Sequence, residues 1–302
     1  MFSTTVIAVL TIFVLVTVIT PPHLSYSSTI ADLNQTQAEA AEEKVRVLAD
    51  ELETRINKSG AILEITSKLP QVSSTPFASS ISPELHGIPE DADMPKRKVA
   101  QDILDTDKDF QVIFFLMPNG DMYLIEPYSR QENLTANNFA FRDYYRGAVD
   151  THNTYLGNVM ISASSGLPQT NMAVPIFSEN NGTLIGVWGG GLNLTNFNKS
   201  LQSLNLTSAD ERVVYLDGQG QKFADSDSNQ SALLTSNTSS ASRNGSSFAD
   251  LQAFRNAING QSGSTTETVN GTTMLISYHP VKAFSTVWAV LSIQPYDGPT
   301  VS

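Results

Sequence analysis

Hydrophobic and polar positions alternate over several short stretches in the middle of the chain. Strands are predicted at 111–117, 121–125, 154–162, 167–177 and 184–195. Pro118-Asn119-Gly120 separates the first two and is a strong signal for a hairpin. A short helical pattern that contains Phe139, Tyr144 and Tyr145 precedes the last three. The pattern predicts a five-stranded antiparallel sheet with helices on one side.

The same order of elements returns on a smaller scale after residue 205. A hairpin is predicted at 211–224, with its turn at Asp217-Gly218-Gln219-Gly220, and a helix is predicted at 248–259. Three further strands are predicted at 265–269, 272–280 and 285–294. The repetition is one of pattern and not of residue identity, and it predicts a second antiparallel sheet.

Residues 28–69 show the spacing of one long helix. Apolar side chains recur every three or four positions at Ala41, Val45, Leu48, Leu52 and Ile56. A lone amphipathic helix of this length packs on another element or pairs in a dimer. Because this helix follows an apolar N-terminal segment, we predict that it forms a stalk. A homodimer that pairs through this helix is compatible with that prediction. The alternative is a core helix of an ordinary domain.

The N-terminal segment, Met1 to Thr20, has no charged side chain and is almost continuously apolar. That length is enough to cross a bilayer as a helix. A cleaved signal peptide is the alternative, but the segment lacks a basic start and a clear cleavage site. We therefore predict a transmembrane anchor at 1–20, which Pro21-Pro22 would end.

The composition excludes several classes of function. The formal net charge is −12, and nucleic-acid binding rests on basic side chains, so no nucleic-acid partner is expected. The absence of cysteine excludes disulfides, thiolate chemistry and cysteine-bound metal. The histidines are scattered without metal-ligand spacing, and no nucleophile or phosphate-loop motif occurs. We expect neither an enzyme nor a cofactor.

Asn-X-Ser/Thr sequons are frequent in this chain. They begin at Asn34, Asn57, Asn133, Asn181, Asn193, Asn198, Asn205, Asn229, Asn237, Asn244 and Asn270. Such sequons mark glycosylated surface loops only in exported proteins. Their excess predicts an exported glycoprotein, and the alternative is an unmodified surface rich in Asn, Ser and Thr.

Aromatic residues and one arginine gather where the short helix meets the strands. Arg142 is the strongest candidate for a ligand contact, because a guanidinium can bind a carboxylate with two parallel hydrogen bonds. Tyr144 and Tyr145 are adjacent and point about 100° apart on a helix, so at most one faces a pocket squarely. Tyr155 is a candidate for one wall of the ligand pocket, and Trp188 is a candidate for its floor. The alternatives are local pairing for the arginine and a core position for the tryptophan.

These segments resemble a known family. The motif Arg142-Asp143-Tyr144-Tyr145-Arg146-Gly147-Ala148 is followed by Ser165-Gly166-Leu167-Pro168, Ala173-Val174-Pro175-Ile176 and Gly186-Val187-Trp188-Gly189. In that order and spacing they are similar to the membrane-distal module of a double Cache (dCache) sensor domain. Weaker motifs extend the resemblance over about 28–295. The resemblance implies an extracytoplasmic sensor whose long helix runs from the membrane along two PAS-like modules.

The resemblance also bears on the ligand. In the amino-acid-binding branch a tyrosine and then an aspartate follow the helix motif and hold the ligand's ammonium group. By spacing, Met160 stands at that tyrosine and Gly191 at that aspartate. Without the carboxylate a buried ammonium would lack its counter-charge, which is costly. We therefore expect a carboxylate or a neutral solute rather than an amino acid.

The expected fold class is α+β, a long N-terminal helix followed by two PAS-like Cache modules with antiparallel sheets. We place the membrane-distal module at 70–205 and the membrane-proximal module at 206–296. The expected function is an extracytoplasmic small-molecule-binding sensor domain of a signal-transduction receptor, held in the cell membrane by one span. The alternative is a surface solute-binding or adhesive glycoprotein without signalling output. The predicted ligand contacts in the distal module are Arg142, Tyr144, Tyr145, Tyr155, Met160, Trp188 and Gly191.

Overall fold

A computed structural model describes residues 23–204, 206, 210–227 and 247–296 of the chain, with side chains from Gln35 onward. The predicted anchor at 1–20 lies outside the described residues. Within the described ranges, no helix combines the length and the apolar character that crossing a membrane requires.

The elements follow the predicted order of a long helix and two sheets. The helices are α1 (His23–Ser67), α2 (Met94–Thr106), α3 (Tyr128–Glu132), α4 (Asp143–Thr151), α5 (Leu194–Gln202) and α6 (Gln252–Ile258). The first sheet contains β1 (Phe110–Leu116), β2 (Met122–Glu126), β3 (Tyr155–Leu156), β4 (Met160–Ile161), β5 (Pro168–Phe177) and β6 (Leu184–Leu192). The second contains β7 (Arg212–Leu216), β8 (Lys222–Asp225), β9 (Gly263–Val269), β10 (Thr272–Ala283) and β11 (Thr286–Pro295). The predicted α+β class is confirmed.

Both sheets are antiparallel, and in each the last strand pairs with the first strand of the opening hairpin. The first sheet has the order β2-β1-β6-β5-β3, with β4 pairing β5, and the second has the order β8-β7-β11-β10-β9. The stretch 154–162, predicted as one strand, forms the two short strands β3 and β4. The ladder is interrupted because the backbone N–H groups of Asn158 and Val159 donate to the carboxylates of Asp143 and Asp217 instead.

Helix α1 packs on one face of both sheets. Its buried side chains include the predicted set Ala41, Val45, Leu48, Leu52 and Ile56. The helix continues through Gly60 as one element, as the sequence predicted. A Cβ at Gly60 would lie 2.1 Å from the ring of Phe284, so this glycine lets the turn between β10 and β11 approach the helix.

Helices cover both faces of the first sheet, whereas the sequence pattern predicted them on one side. Val112 and Phe114 of β1 face α4, and Ile113 and Phe115 face the side of α1. All four are buried, so β1 is an almost continuous apolar run rather than an alternating one. Such a run is typical of a strand buried on both faces.

The sequons differ in accessibility. Asn57, Asn133 and Asn181 are exposed, whereas Asn198 is buried and its Oδ1 accepts a hydrogen bond from the backbone N–H of Asp225 at 2.8 Å. Glycosylation of the exposed sequons stays a prediction. Asn205, Asn229, Asn237 and Asn244 lie outside the described residues.

A lysine is buried on the α1 side of the first sheet. Lys96 is fully buried, with its Nζ 4.1 Å from the ring centroid of Phe115 and 4.3 Å from that of Tyr123. The nearest carboxylate oxygen, Oδ2 of Asp93, is 3.4 Å from Nζ, which also donates to the backbone carbonyl of Ser74. Burial lowers the pKa of Lys96 to about 8, although Asp93 opposes the shift.

This lysine predicts a pH dependence of stability. Because its pKa in the folded chain, about 8, lies below the ordinary value of 10.5, the folded state loses the proton first. The free energy of unfolding should therefore rise as the pH rises from 8 to 10.5. In Lys96→Met this rise in the free energy of unfolding with pH should be lost. Lys98→Met, at an exposed position, should show the same rise as the wild-type chain. Urea unfolding at stepped pH measures the slope, and an identical slope in Lys96→Met would contradict the prediction.

Candidate functional site

A pocket lies between α4 and the face of the first sheet that α1 leaves uncovered. Its lining comes from β1, β2, β4, β5, α4 and the segments that precede and follow them. The lining residues are Val112, Phe114, Met122, Ile125, Leu134, Phe139, Arg142, Tyr144, Met160, Ser162, Ala163, Ser164, Gln169 and Asn171. The cavity volume is about 30 Å³, close to the volume of one water molecule. Side chains in the lining must therefore move before a larger molecule can enter.

Two glycines of β6 leave space beneath this pocket for side chains of the neighbouring strands. A Cβ at Gly189 would lie 2.4 Å from the ring of Phe114, and a Cβ at Gly191 would lie 2.3 Å from Nε2 of Gln169. Side chains from the two neighbouring strands therefore lie directly over the glycine backbone. Gly190, between them, faces the other side of the sheet, where a Cβ would meet the ring of Phe110 at 2.4 Å.

Arg142 places its guanidinium at the pocket. It is the residue directly before α4, with extended backbone angles φ −73° and ψ 144°. Its Nη2 donates to the backbone carbonyl of Ile161 at 3.4 Å. Its Nε is buried and has no hydrogen-bond partner in the part of the chain that the structure describes. A buried donor on a charged group is expensive to leave unpaired, so this N–H is available for a ligand.

A series of amide side chains leads along the sheet to Tyr144. The Nε2 of Gln111 donates to Oε1 of Gln169 at 2.9 Å, and the Nε2 of Gln169 donates to Oδ1 of Asn171. Burial raises the pKa of Tyr144, and a hydrogen bond from the Asn171 side chain opposes that shift only in part. Tyr144 is therefore a neutral phenol at physiological pH, and its O–H is a hydrogen-bond donor.

The structure brings some of the predicted ligand contacts together. Arg142, Tyr144 and Met160 line the pocket. Gly191 borders it, with the Gln169 carboxamide in the space that a side chain at position 191 would need. Whether these residues touch a ligand stays a prediction.

The other predicted contacts lie away from the pocket lining. Tyr145 is turned toward the β1–β2 turn, where its hydroxyl donates to the carbonyl of Pro118 at 2.7 Å. Tyr155 packs its ring on Gly147 of α4. Trp188 is fully buried on the α1 face, and its Nε1 donates to Oγ1 of Thr66 at 3.0 Å. None of these three residues lines this pocket, and ligand contact by them stays a prediction.

Sequence reasoning did not single out the polar side chains of β5. Gln169 and Asn171 are two positions apart near the start of β5, with the buried Thr170 between them, and they are 4% and 5% exposed. Alternate residues of a strand share one face. Two amides at that spacing in a predicted strand were the signal that could have predicted them.

Two antiparallel sheets lie along one long helix, and a pocket lies between the first sheet and a short helix. The family model described as Cache domain (dCache_1) matches residues 25–298. The chain therefore belongs to the double Cache family, which confirms the resemblance seen in the motifs. This is a family of sensor domains rather than of catalysts.

Several solved structures with the same fold are ligand-binding domains of Pseudomonas chemoreceptors. The domain of Pseudomonas aeruginosa PAO1 PctB with L-Arg has a TM-score of 0.60 and 16% identity, and the match covers 87% of this chain and 97% of that one. The domain of Pseudomonas fluorescens CtaA with L-isoleucine has a TM-score of 0.56 and 16% identity, over 92% and 98% of the two chains. The domain of P. aeruginosa PctC with GABA has a TM-score of 0.57 and 14% identity, over 85% and 99%. A search of curated proteins found no match.

The ligands of these neighbours correct one expectation. The sequence predicted a carboxylate or a neutral solute rather than an amino acid, and that prediction is wrong, because the similar domains bind L-Arg, L-isoleucine and GABA. The prediction treated the carboxylate missing at Gly191 as decisive. Amide and hydroxyl oxygens also accept hydrogen bonds from an ammonium group, and the pocket contains several of them.

Proposed function

We propose that this chain is the ligand-binding part of a membrane-anchored extracellular sensor and that it holds an amino acid in the pocket beside α4. The buried Nε of Arg142, which lacks a partner among the described residues, is the observation that carries the proposal. Membership of the Cache family supports a sensor, and the ligands of the neighbours support an amino acid. The pocket would lie in a membrane-distal module at 70–205, beside a proximal module at 206–296 and an anchor at 1–20.

The lining suits the two charged groups of an amino acid. Arg142 would bind the carboxylate through charge-assisted hydrogen bonds, and the O–H of Tyr144 would add a donor. No Asp or Glu is present among the described residues of the lining, so nothing there repels an anion. Oε1 of Gln169 and Oδ1 of Asn171 each accept one hydrogen bond within the chain. An amide oxygen has two lone pairs, so both could accept a second bond from the ammonium group.

Hydrogen bonds that link the pocket to the second sheet favour signalling over passive binding. The carbonyl of Ile161 accepts from Arg142, and two residues earlier the N–H of Val159 donates to Oδ2 of Asp217 at 2.9 Å. The carbonyl of Leu156 accepts from Oγ1 of Thr286 at 2.8 Å. A shift of Arg142 toward a ligand would therefore pull on a segment that is bonded directly to the second sheet.

Arg142→Gln is the test of this proposal. We expect L-amino acid affinity to fall about 10- to 100-fold, because hydrogen bonds to a charged group contribute about 1.5–3 kcal/mol. Isothermal titration calorimetry of the purified chain against the common L-amino acids measures the effect. Arg146→Gln is the matched control. Arg146 lies one turn along α4 and is exposed, and among the described residues its side chain donates one hydrogen bond, to the carbonyl of Ala140.

Two results would contradict the proposal. One is equal affinity in Arg142→Gln and in the wild-type chain. The other is an absence of binding by every amino acid tested to a chain that is folded by circular dichroism.

A further inference from the structure

We infer that the pocket selects amino acids with an aliphatic side chain, because the part of the lining on β1 and β2, across β6 from the amides of β5, consists of hydrocarbon. This inference rests on the proposed function and names the ligand class of the same site. It follows from the way the strand order distributes polar and apolar side chains across the pocket.

The polar half lies at the β4–β5 edge of the sheet. Met160 of β4 pairs with Gln169 of β5, and Arg142 donates to the carbonyl of Ile161 in β4. Asn171 lies two residues farther along β5 on the same face. The charged groups of an amino acid would therefore bind at this edge.

The apolar half lies across β6, on β1 and β2. Phe114 of β1 pairs with Ile125 of β2. Val112, Phe114, Met122 and Ile125 line the pocket there and are 1%, 2%, 4% and 4% exposed. The side chain of a ligand whose head group is bound at the β4–β5 edge would point toward this set.

Among the described residues, the backbone of β1 and β2 is paired in the sheet, and the nearest carboxylate is paired as well. At the outer edge, the N–H of Met122 donates to the carbonyl of Asn137 at 2.8 Å. Glu126 follows Ile125 but is held on the far side by Nη1 of Arg97 at 2.6 Å. A guanidinium or amide tail would lose its water there without gaining a hydrogen bond, which is unfavourable.

An aliphatic tail would instead gain free energy by leaving water. The cavity of about 30 Å³ must widen for it, and methionine side chains such as Met122 and Met160 adapt readily because they are unbranched and flexible. The geometry therefore favours leucine-like ligands over polar ligands of the same shape.

The test compares L-leucine with L-asparagine, which has nearly the same shape but carries an amide, and with L-arginine. Calorimetry on the purified full chain should show leucine binding at least about 10-fold more tightly than either, the ratio expected from burial of one aliphatic side chain. Asparagine or arginine binding as tightly as leucine would overturn this inference and leave the proposed function standing. If no amino acid binds, both fail.

A change of selectivity provides the second measurement. Met122 begins β2, the edge strand of the first sheet, and its side chain lines the apolar half. Met122→Glu should weaken leucine binding and raise the affinity for arginine about 10-fold, because a charge pair replaces a hydrocarbon wall. Met122→Gln, the matched control, should weaken leucine binding without improving arginine binding. Equal arginine affinity in a folded Met122→Glu chain would contradict the inference. If that variant does not fold, the ranking of leucine, asparagine and arginine in the wild-type chain decides.

Discussion

Replacing Arg97 with methionine should lower the free energy of unfolding by about 3–5 kcal/mol, the usual effect of breaking a buried ion pair from one side. Arg97 is 1% exposed, and its Nη1 is 2.6 Å from Oε1 of Glu126. Its Nε donates to the carbonyl of Ala92 at 3.1 Å, and Nη2 donates to that of Pro89 at 3.1 Å. Methionine would fill much of the space but leave the charge of Glu126 buried without its counter-charge, with the hydrogen bond from Nε2 of Gln101 at 3.2 Å remaining.

Urea unfolding followed by circular dichroism measures this effect. Lys98→Met is the matched control, because Lys98 lies next in α2 and its pair with Asp102 is exposed, and such pairs contribute about 1 kcal/mol at most. The double change Arg97→Met with Glu126→Leu should recover most of the loss, since it leaves no buried charge unpaired. A loss below about 1 kcal/mol in Arg97→Met would show that the pair is not structural.

Replacing Asp217 with alanine should cost about 3 kcal/mol or more and weaken the connection between the two sheets. Asp217 is fully buried, and its carboxylate accepts hydrogen bonds from the backbone N–H groups of Val159 at 2.9 Å, Gln219 at 2.9 Å and Gln221 at 2.8 Å. Alanine would leave these donors unpaired. Burial raises the pKa of Asp217 in spite of these hydrogen bonds, and the charge of Asp143 acts in the same direction.

Hydrogen exchange and urea unfolding together measure the second prediction. In the wild-type chain an amino acid ligand should slow amide exchange both at the pocket and in the β7–β8 turn. In Asp217→Asn, which keeps the Oδ1 acceptor for the turn but replaces the Oδ2 acceptor for Val159 with a donor, protection should remain at the pocket and fall in the turn. Unchanged protection of the turn in Asp217→Asn would mean that the effect of ligand binding does not reach the second sheet through Asp217.

Much of the fold was predictable because it depends on short-range periodicity. The apolar spacing of Ala41 to Ile56 predicted α1, and the turn signal at Pro118-Asn119-Gly120 predicted a hairpin that the structure contains. The family was predictable as well, because its motifs are contiguous. The stretch 154–162 was predicted less well, since carboxylates distant in sequence, at Asp143 and Asp217, take two of its N–H groups.

The candidate site was predictable only in part. Arg142 and Tyr144 stood out because charge and aromatic side chains were concentrated in one motif. Gln169 and Asn171 were overlooked because their role depends on strand pairing. The Gln169 amide lies over Gly191 of the neighbouring strand β6, and the sequence alone does not show that the two residues meet. Which of Tyr144 and Tyr145 faces the pocket depends on the orientation of α4, and local sequence does not specify that orientation.

By itself the sequence determined the order and type of the elements, the family and the presence of Arg142 beside aromatic residues, because each depends on neighbours within a few residues. The tertiary structure decided which face of a strand each side chain occupies, so that Trp188 supports α1 while Gly189 and Gly191 lie beneath the pocket. It also decided that Arg142 keeps a buried N–H without a partner among the described residues. Such features depend on contacts between elements that are far apart in the chain, and no local pattern encodes those contacts.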